Sequence, residues 1–77
     1  MTETADTEVD ATGLRCPMPL LKAKRALNDM QRGQVLRVLS TDAGSVRDFA
    51  VFSDQSGHAL LASDRNGDVY RHLLRKS

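Results

Sequence analysis

Gly13-Leu14-Arg15-Cys16-Pro17-Met18-Pro19 joins two segments of different hydrophobic period. Upstream, residues 9–11 suit a short strand, and Thr12-Gly13 supplies the flexibility to turn out of it. Downstream, Leu20, Ala23, Leu27 and Met30 recur at the spacing of one face of a 3.6-residue helix, which predicts a helix over residues 17–31 packed through that stripe. Pro17 at the first helical position and Pro19 two residues later fall in the first turn. Backbone N–H groups there have no intrahelical acceptor, so neither proline breaks the helix. The turn therefore delivers Cys16, the only cysteine of the chain, to a helix entrance. Gly33 ends this helix as a C-cap or as an adjacent turn residue.

Beyond Gly33, residues 34–39 hold Val35, Leu36, Val38 and Leu39 around Arg37, a composition suited to a mostly buried strand. Thr41-Asp42 can cap a second helix, predicted over residues 43–56. Val46, Phe49, Ala50 and Ser53 are expected on its core face, and Gly57 closes it. Two further strands are expected at 58–63 and 68–75, separated by Asn66-Gly67, a dipeptide suited to a tight hairpin. Val69/Leu73 and Tyr70/Leu74 are both plausible buried pairs in the last strand. The order βαβαββ places the chain in the α+β class. It predicts a two-layer α/β sandwich, with a mixed four-stranded sheet and both helices on one face. Residues 1–8 are polar, acidic and without apolar period, and are expected to form a flexible tail ahead of a single domain over 9–77.

Seventy-seven residues bound this to one small core. A lone cysteine cannot form an internal disulfide, and no zinc-type Cys/His cluster or other metal-ligating or cofactor motif is present in the sequence. No apolar run reaches transmembrane length, and a reducing cytoplasm is the expected location. A net charge of +1 gives no bulk field for nucleic acid. With one Tyr and no Trp there is little to stack on bases, so no direct nucleic-acid partner is expected.

Position alone leaves Cys16 two readings: a small buried hydrophobe, or a nucleophile. A helix N-terminus and the adjacent Arg15 can lower a thiol's pKa and raise its thiolate fraction. Pro17 and Pro19 cannot donate hydrogen bonds, which leaves the Met18 and Leu20 amides as candidate donors to sulfur and makes rigid presentation the prolines' expected contribution. No second cysteine completes a redox pair. His58 and His72 read as strand residues with structural or surface roles rather than as a catalytic base.

Asp10, the GLRCPMP stretch from Gly13 to Pro19, TDAGSVRDF from Thr41, SGHALL from Ser56 and the terminal VYRHLLRK together make the chain resemble the TusA/SirA family of small sulfur-carrier proteins. The resemblance implies the same sandwich fold and a persulfide relay at Cys16, with Gly13, Arg15, Pro17 and Pro19 presenting the thiol. The implied role is that of a sulfurtransferase-type carrier rather than a stand-alone enzyme. Its implied partners are a cysteine desulfurase or rhodanese-like donor and a sulfur-acceptor protein complex, with the free carrier a monomer. Transfer toward tRNA 2-thiouridine is one implied destination; thiosulfate or oxidative sulfur metabolism, selenium and molybdenum-cofactor routes are others. Leu21, Lys24 and Arg25 on the exposed side of the first helix are candidate docking residues. By family position Asp42, Arg47 and Asp48 are also candidates, although Asp42 suits an N-cap equally and Arg47-Asp48 suits ordinary helix-surface charge. Asp10 either orients the turn by hydrogen bonding or ends the strand. A noncovalent regulatory adaptor with an incidental cysteine is the reading from another class.

Overall fold

In the computed structural model, which describes residues 5–77, the elements run β1 (Thr7–Ala11), α1 (Met18–Asn28), β2 (Val35–Ser40), α2 (Gly44–Ser56), β3 (Ala59–Asn66) and β4 (Val69–Arg75). The sheet order is β1-β2-β4-β3. β1 and β2 are parallel, as a crossover through α1 requires, while β4 lies antiparallel to both β2 and β3. This is the mixed sheet expected from the order of elements.

Both helices pack on one sheet face, and Ala23, Leu27, Met30, Leu36, Val38, Phe49 and Leu74 form the buried cluster between the layers. The α1 stripe read from the sequence is borne out: Ala23 and Leu27 are buried and Leu20 packs against them. The α2 face is not. Ser45 and Phe49 are its buried residues, whereas Val46 is 41% exposed and Ala50 is also exposed. Ser45 rather than Val46 takes the inward position one turn before Phe49, because Ser45 has a polar partner inside, the imidazole of His72.

His72 is fully buried on β4 beside Leu74, which settles that strand's inward face. Its ring stacks on Phe49 with centroids 4.6 Å apart, and its nitrogens meet Ser45 Oγ at 3.0 Å and Ser63 Oγ at 2.7 Å. A neutral imidazole has one donor and one acceptor nitrogen, and serine hydroxyls can serve either, so this buried polar group is satisfied.

Several boundaries moved for identifiable reasons. Of the expected tail, residues 1–4 lie outside the described residues, while Thr7 and Glu8 already pair with Leu36 and Arg37. Asp6 exchanges two bonds with Val35, its N–H donating to the Val35 carbonyl and its carboxylate accepting from the Val35 N–H, each at 2.8 Å. Helix α1 stops at Asn28, short of Gly33. Its end is closed by Lys76 Nζ, which donates to the carbonyls of Leu27 (2.6 Å) and Met30 (2.7 Å). Asn66 and Val69 pair across the hairpin, so the loop residues are Gly67-Asp68, with Gly67 alone at positive φ. Glycine at the first central position is what a type II′ turn demands.

Candidate functional site

Because β1 and β2 are parallel neighbours in register Ala11↔Ser40, the segments leaving their C-terminal ends meet at one edge of the molecule. One carries Cys16 and the other Thr41-Asp42. Gly13 turns out of β1 with φ +81°, and its N–H donates to Thr41 Oγ1 at 2.8 Å. Asp10 bonds Thr12, accepting from its N–H at 3.0 Å and its hydroxyl at 2.6 Å, so it does shape the turn. These bonds draw the carboxylate below its ordinary pKa.

Asp42 fastens the two segments together. Its Oδ2 accepts the Cys16 N–H and its Oδ1 accepts the Gly44 N–H at 2.9 Å, so one carboxylate holds the entrance of α1 and starts α2. These two backbone bonds, the one from Cys16 first, hold the Asp42 pKa down, and the Arg15 charge adds to them. Gly44 leaves little spare room: a Cβ there would sit 3.3 Å from Asp42 Oδ1 and 3.7 Å from Cys16 Cβ.

Cys16 is exposed, which excludes the buried-hydrophobe reading. Its Sγ donates to Asp48 Oδ2, on the second turn of α2. The thiol pKa is raised above its ordinary value, foremost by this hydrogen bond to Asp48, then by lost solvation and the negative charges of Asp48 and Asp42. The expectation that the helix end and Arg15 lower it is therefore corrected: two carboxylates face the sulfur, and Arg15 has its resolved influence on Asp42. The amide expectation changes too. The Met18 N–H is taken by the Arg15 carbonyl at 2.8 Å, and sulfur donates rather than accepts. Pro17 occupies the N-cap position and is exposed, whereas Pro19 is buried, anchoring the first turn. The Cys16–Pro17 peptide is cis.

Neither histidine serves the sulfur. His72 is committed to two serines, and His58, which precedes β3 rather than lying in it, accepts from the Ser77 N–H at 3.0 Å. Among the described residues no His/Cys/Asp/Glu group is arranged to hold a metal, and no helix is long and apolar enough to cross a membrane.

Of the proposed docking residues, Lys24 and Arg47 come together with Leu20, Asp48, Val51, Phe52 and Gln55 around a groove of about 160 Å³ between the helices. That volume suits a protruding side chain better than a small-molecule substrate. Lys24 Nζ lies 5.5 Å from the Phe52 ring centroid, and Leu21 is 48% exposed beside it on α1. Arg25 is exposed in the last turn of α1 and does not line this groove. Asp42 is occupied with backbone amides. Two residues have roles that the local sequence does not signal: Thr41, beyond a helix cap shared with Asp42, accepts the Gly13 N–H, and Asp48, beyond family position and surface charge, accepts the Cys16 thiol. The parallel β1–β2 pairing was the available signal, since it brings the segments after both strands to one edge.

The family model described as "Sulfurtransferase TusA" matches residues 7–76. The chain is 50% identical over 72 residues to the sulfur carrier protein TusA of Allochromatium vinosum, covering 94% of this chain and 95% of that one. In fold it is similar to the crystal structure of a SirA-like protein from Desulfitobacterium hafniense, with TM-score 0.80 at 24% identity over 90% of this chain and 95% of the other. A match over nearly the whole domain, on a sandwich whose exposed cysteine opens the first helix, means that the chain belongs to the TusA family.

Proposed function

We propose that this protein is a sulfur carrier that takes up sulfane sulfur as a persulfide on Cys16 and hands it to an acceptor protein. The observation that carries this reading is the exposed Cys16 sulfur at the entrance of α1, in a chain of this family. In loading, the Cys16 thiolate attacks the outer sulfur of a donor persulfide. A new S–S bond forms at Cys16, the donor's S–S bond breaks, and the donor's inner sulfur leaves as a thiolate with the electron pair. Unloading reverses the roles, with Cys16 as leaving group. The absence of a second cysteine suits such a relay, because no internal thiol can discharge the persulfide by closing a disulfide.

Gly13, Arg15, Pro17 and Pro19 present the thiol in this proposal. Leu21, Lys24, Arg25 and Arg47 receive the partners, while Asp42 acts by fixing the loop. The donor is a cysteine desulfurase or a rhodanese-like protein in the cytoplasm, and tRNA 2-thiolation is one destination for the sulfur. Intact-mass measurement after incubation with a desulfurase and cysteine, or with a rhodanese and thiosulfate, tests it. A reducible one-sulfur adduct on the wild type and none on Cys16→Ser is the expected outcome. Partner-dependent activity that survives Cys16→Ser would favour a noncovalent adaptor instead.

A further inference from the structure

Resting on the persulfide reading, we propose that Asp48 is the proton station of the carrier, holding the Cys16 proton when the carrier is empty and taking it over as sulfur arrives. Asp48 is the group that touches the reacting atom, since Cys16 Sγ donates to its Oδ2. It is placed by α2, whose register is set by buried Phe49 next in sequence and by Ser45 bonded to His72. The other charged groups around it are Asp42, fastened to the Cys16 N–H from the β2–α2 connection, Arg15 on the loop of Cys16 itself, and Lys24 of α1 and Arg47 of α2, which line the groove that Asp48 borders. The bond to the sulfur is made by Asp48.

The two half-reactions balance around this pair. In loading, the Cys16 S–H bond breaks and the proton passes to the Asp48 carboxylate. The freed electron pair forms the bond to the donor's outer sulfur, and the donor's inner sulfur departs with the electrons of the broken S–S bond. Asp48 then releases its proton to solvent or to the departing thiolate. In unloading, the acceptor thiolate takes the outer sulfur and Cys16 leaves as a thiolate. The proton that the acceptor thiol gives up to Asp48 as it ionises then passes to the Cys16 sulfur, neutralises it and restores the starting hydrogen bond. The same contact keeps the idle, exposed thiol un-ionised, and therefore poorly reactive toward oxidants and stray electrophiles, whose target is the thiolate.

The test uses the full chain as wild type, Asp48→Asn and Asp48→Glu, each checked for an unchanged melting transition. The first readout is the pH profile of Cys16 alkylation by iodoacetamide, followed by intact mass. Asp48→Asn is expected to move the midpoint to lower pH and to raise the rate at neutral pH by about 3-fold or more, the change that half a pKa unit produces. The second is single-turnover loading from chemically prepared glutathione persulfide, which needs no docking surface. There Asp48→Asn is expected to load more slowly than wild type despite its larger thiolate fraction, with Asp48→Glu recovering part of the rate. An unchanged alkylation profile in Asp48→Asn would overturn the proposal, as would loading that rises in step with thiolate fraction. If wild type and variants all fail to load from this or any persulfide source, the relay reading falls, while the alkylation profile still decides whether Asp48 holds the proton.

Discussion

Phe49→Ala is the substitution that most directly tests how α2 is seated. The ring is fully buried in the cluster with Leu27, Leu36 and Leu74 and stacks on His72. Removing it forfeits the transfer free energy of the missing atoms and leaves a cavity, about 3–5 kcal/mol for a phenylalanine at such a site. A domain of this length has a total stability of roughly 4–12 kcal/mol, so the variant loses a large fraction of it or all of it. With a urea slope of about 1 kcal/mol per M, at the low end for small domains, the midpoint falls by roughly 3 M or more. Phe49→Leu, which retains most of the apolar volume, is expected to cost about 1–3 kcal/mol and to stay folded, giving a measurable transition if the alanine variant does not. Val46→Ala is the internal control. Hydrophobic pattern alone puts Val46 on the core face, yet it is 41% exposed, so its loss should stay within about 0.5 kcal/mol. Urea unfolding followed by circular dichroism reads all three. A Val46→Ala effect equal to or larger than that of Phe49→Leu would refute the observed helix register.

Further outcomes follow from other contacts. Burial lowers the His72 pKa, so the unfolded chain binds this proton more readily. The associated stability is present above the ordinary histidine value and is lost as pH falls through it toward the folded value. The urea midpoint should therefore drop on going from pH 8 to pH 5, with a smaller drop in His72→Gln. Asp10 and Asp42 have lowered pKa values, so their contributions persist above the ordinary aspartate value and disappear in a separate, more acidic window. Gly57 caps α2 at φ +84°, and Gly57→Ala should cost about 1–2 kcal/mol in thermal or urea unfolding. Lys76→Met removes the donor to two carbonyls at the end of α1, with an expected loss of about 1–2 kcal/mol in the same assay. Asp42→Asn should raise neutral-pH alkylation of Cys16 by less than Asp48→Asn does, because Asp42 acts on the sulfur only through its charge whereas Asp48 also accepts its proton.

The sandwich was legible because its signals are local. The 3.6 period of Leu20, Ala23 and Leu27, the valine-rich run of β2 and the glycine after α2 each act within one element. What the sequence concealed depends on pairs far apart in the chain. Ser45 turns inward because His72 waits on β4, 27 residues away, and polar serine carries no hydrophobic signal. Lys76 closes α1 from the far end of the chain, while Gly33, at φ +86°, serves the turn that follows rather than the cap. At the site, the cysteine and its helix entrance were readable, but the sign of the electrostatics was not. Arg15 is adjacent in sequence, whereas Asp48 is 32 residues distant and adjacent in space. Local charge reading therefore favoured a thiolate where the fold supplies carboxylates.

Core and site are built from the same elements but fail independently. The buried cluster lies between the sheet and the helices, while Cys16, Asp42 and Asp48 gather beyond the C-terminal ends of β1 and β2, where the chain has left the hydrogen-bonded ladder. Lys24, Arg47 and Val51 line the groove and are not members of that cluster, so substitutions there can alter docking at little cost in stability. Ser45, Asp48 and Phe49 form the exception. They share one turn of α2, so a change that rotates this turn displaces the carboxylate from the sulfur as it loosens the core. Phe49→Leu should therefore shift the alkylation profile of Cys16 in the direction of Asp48→Asn, whereas Leu27→Ala, on the other helix, should lower stability and leave that profile where it is. Equal profiles in the two core variants would mean that Asp48 reaches Cys16 independently of how α2 is seated.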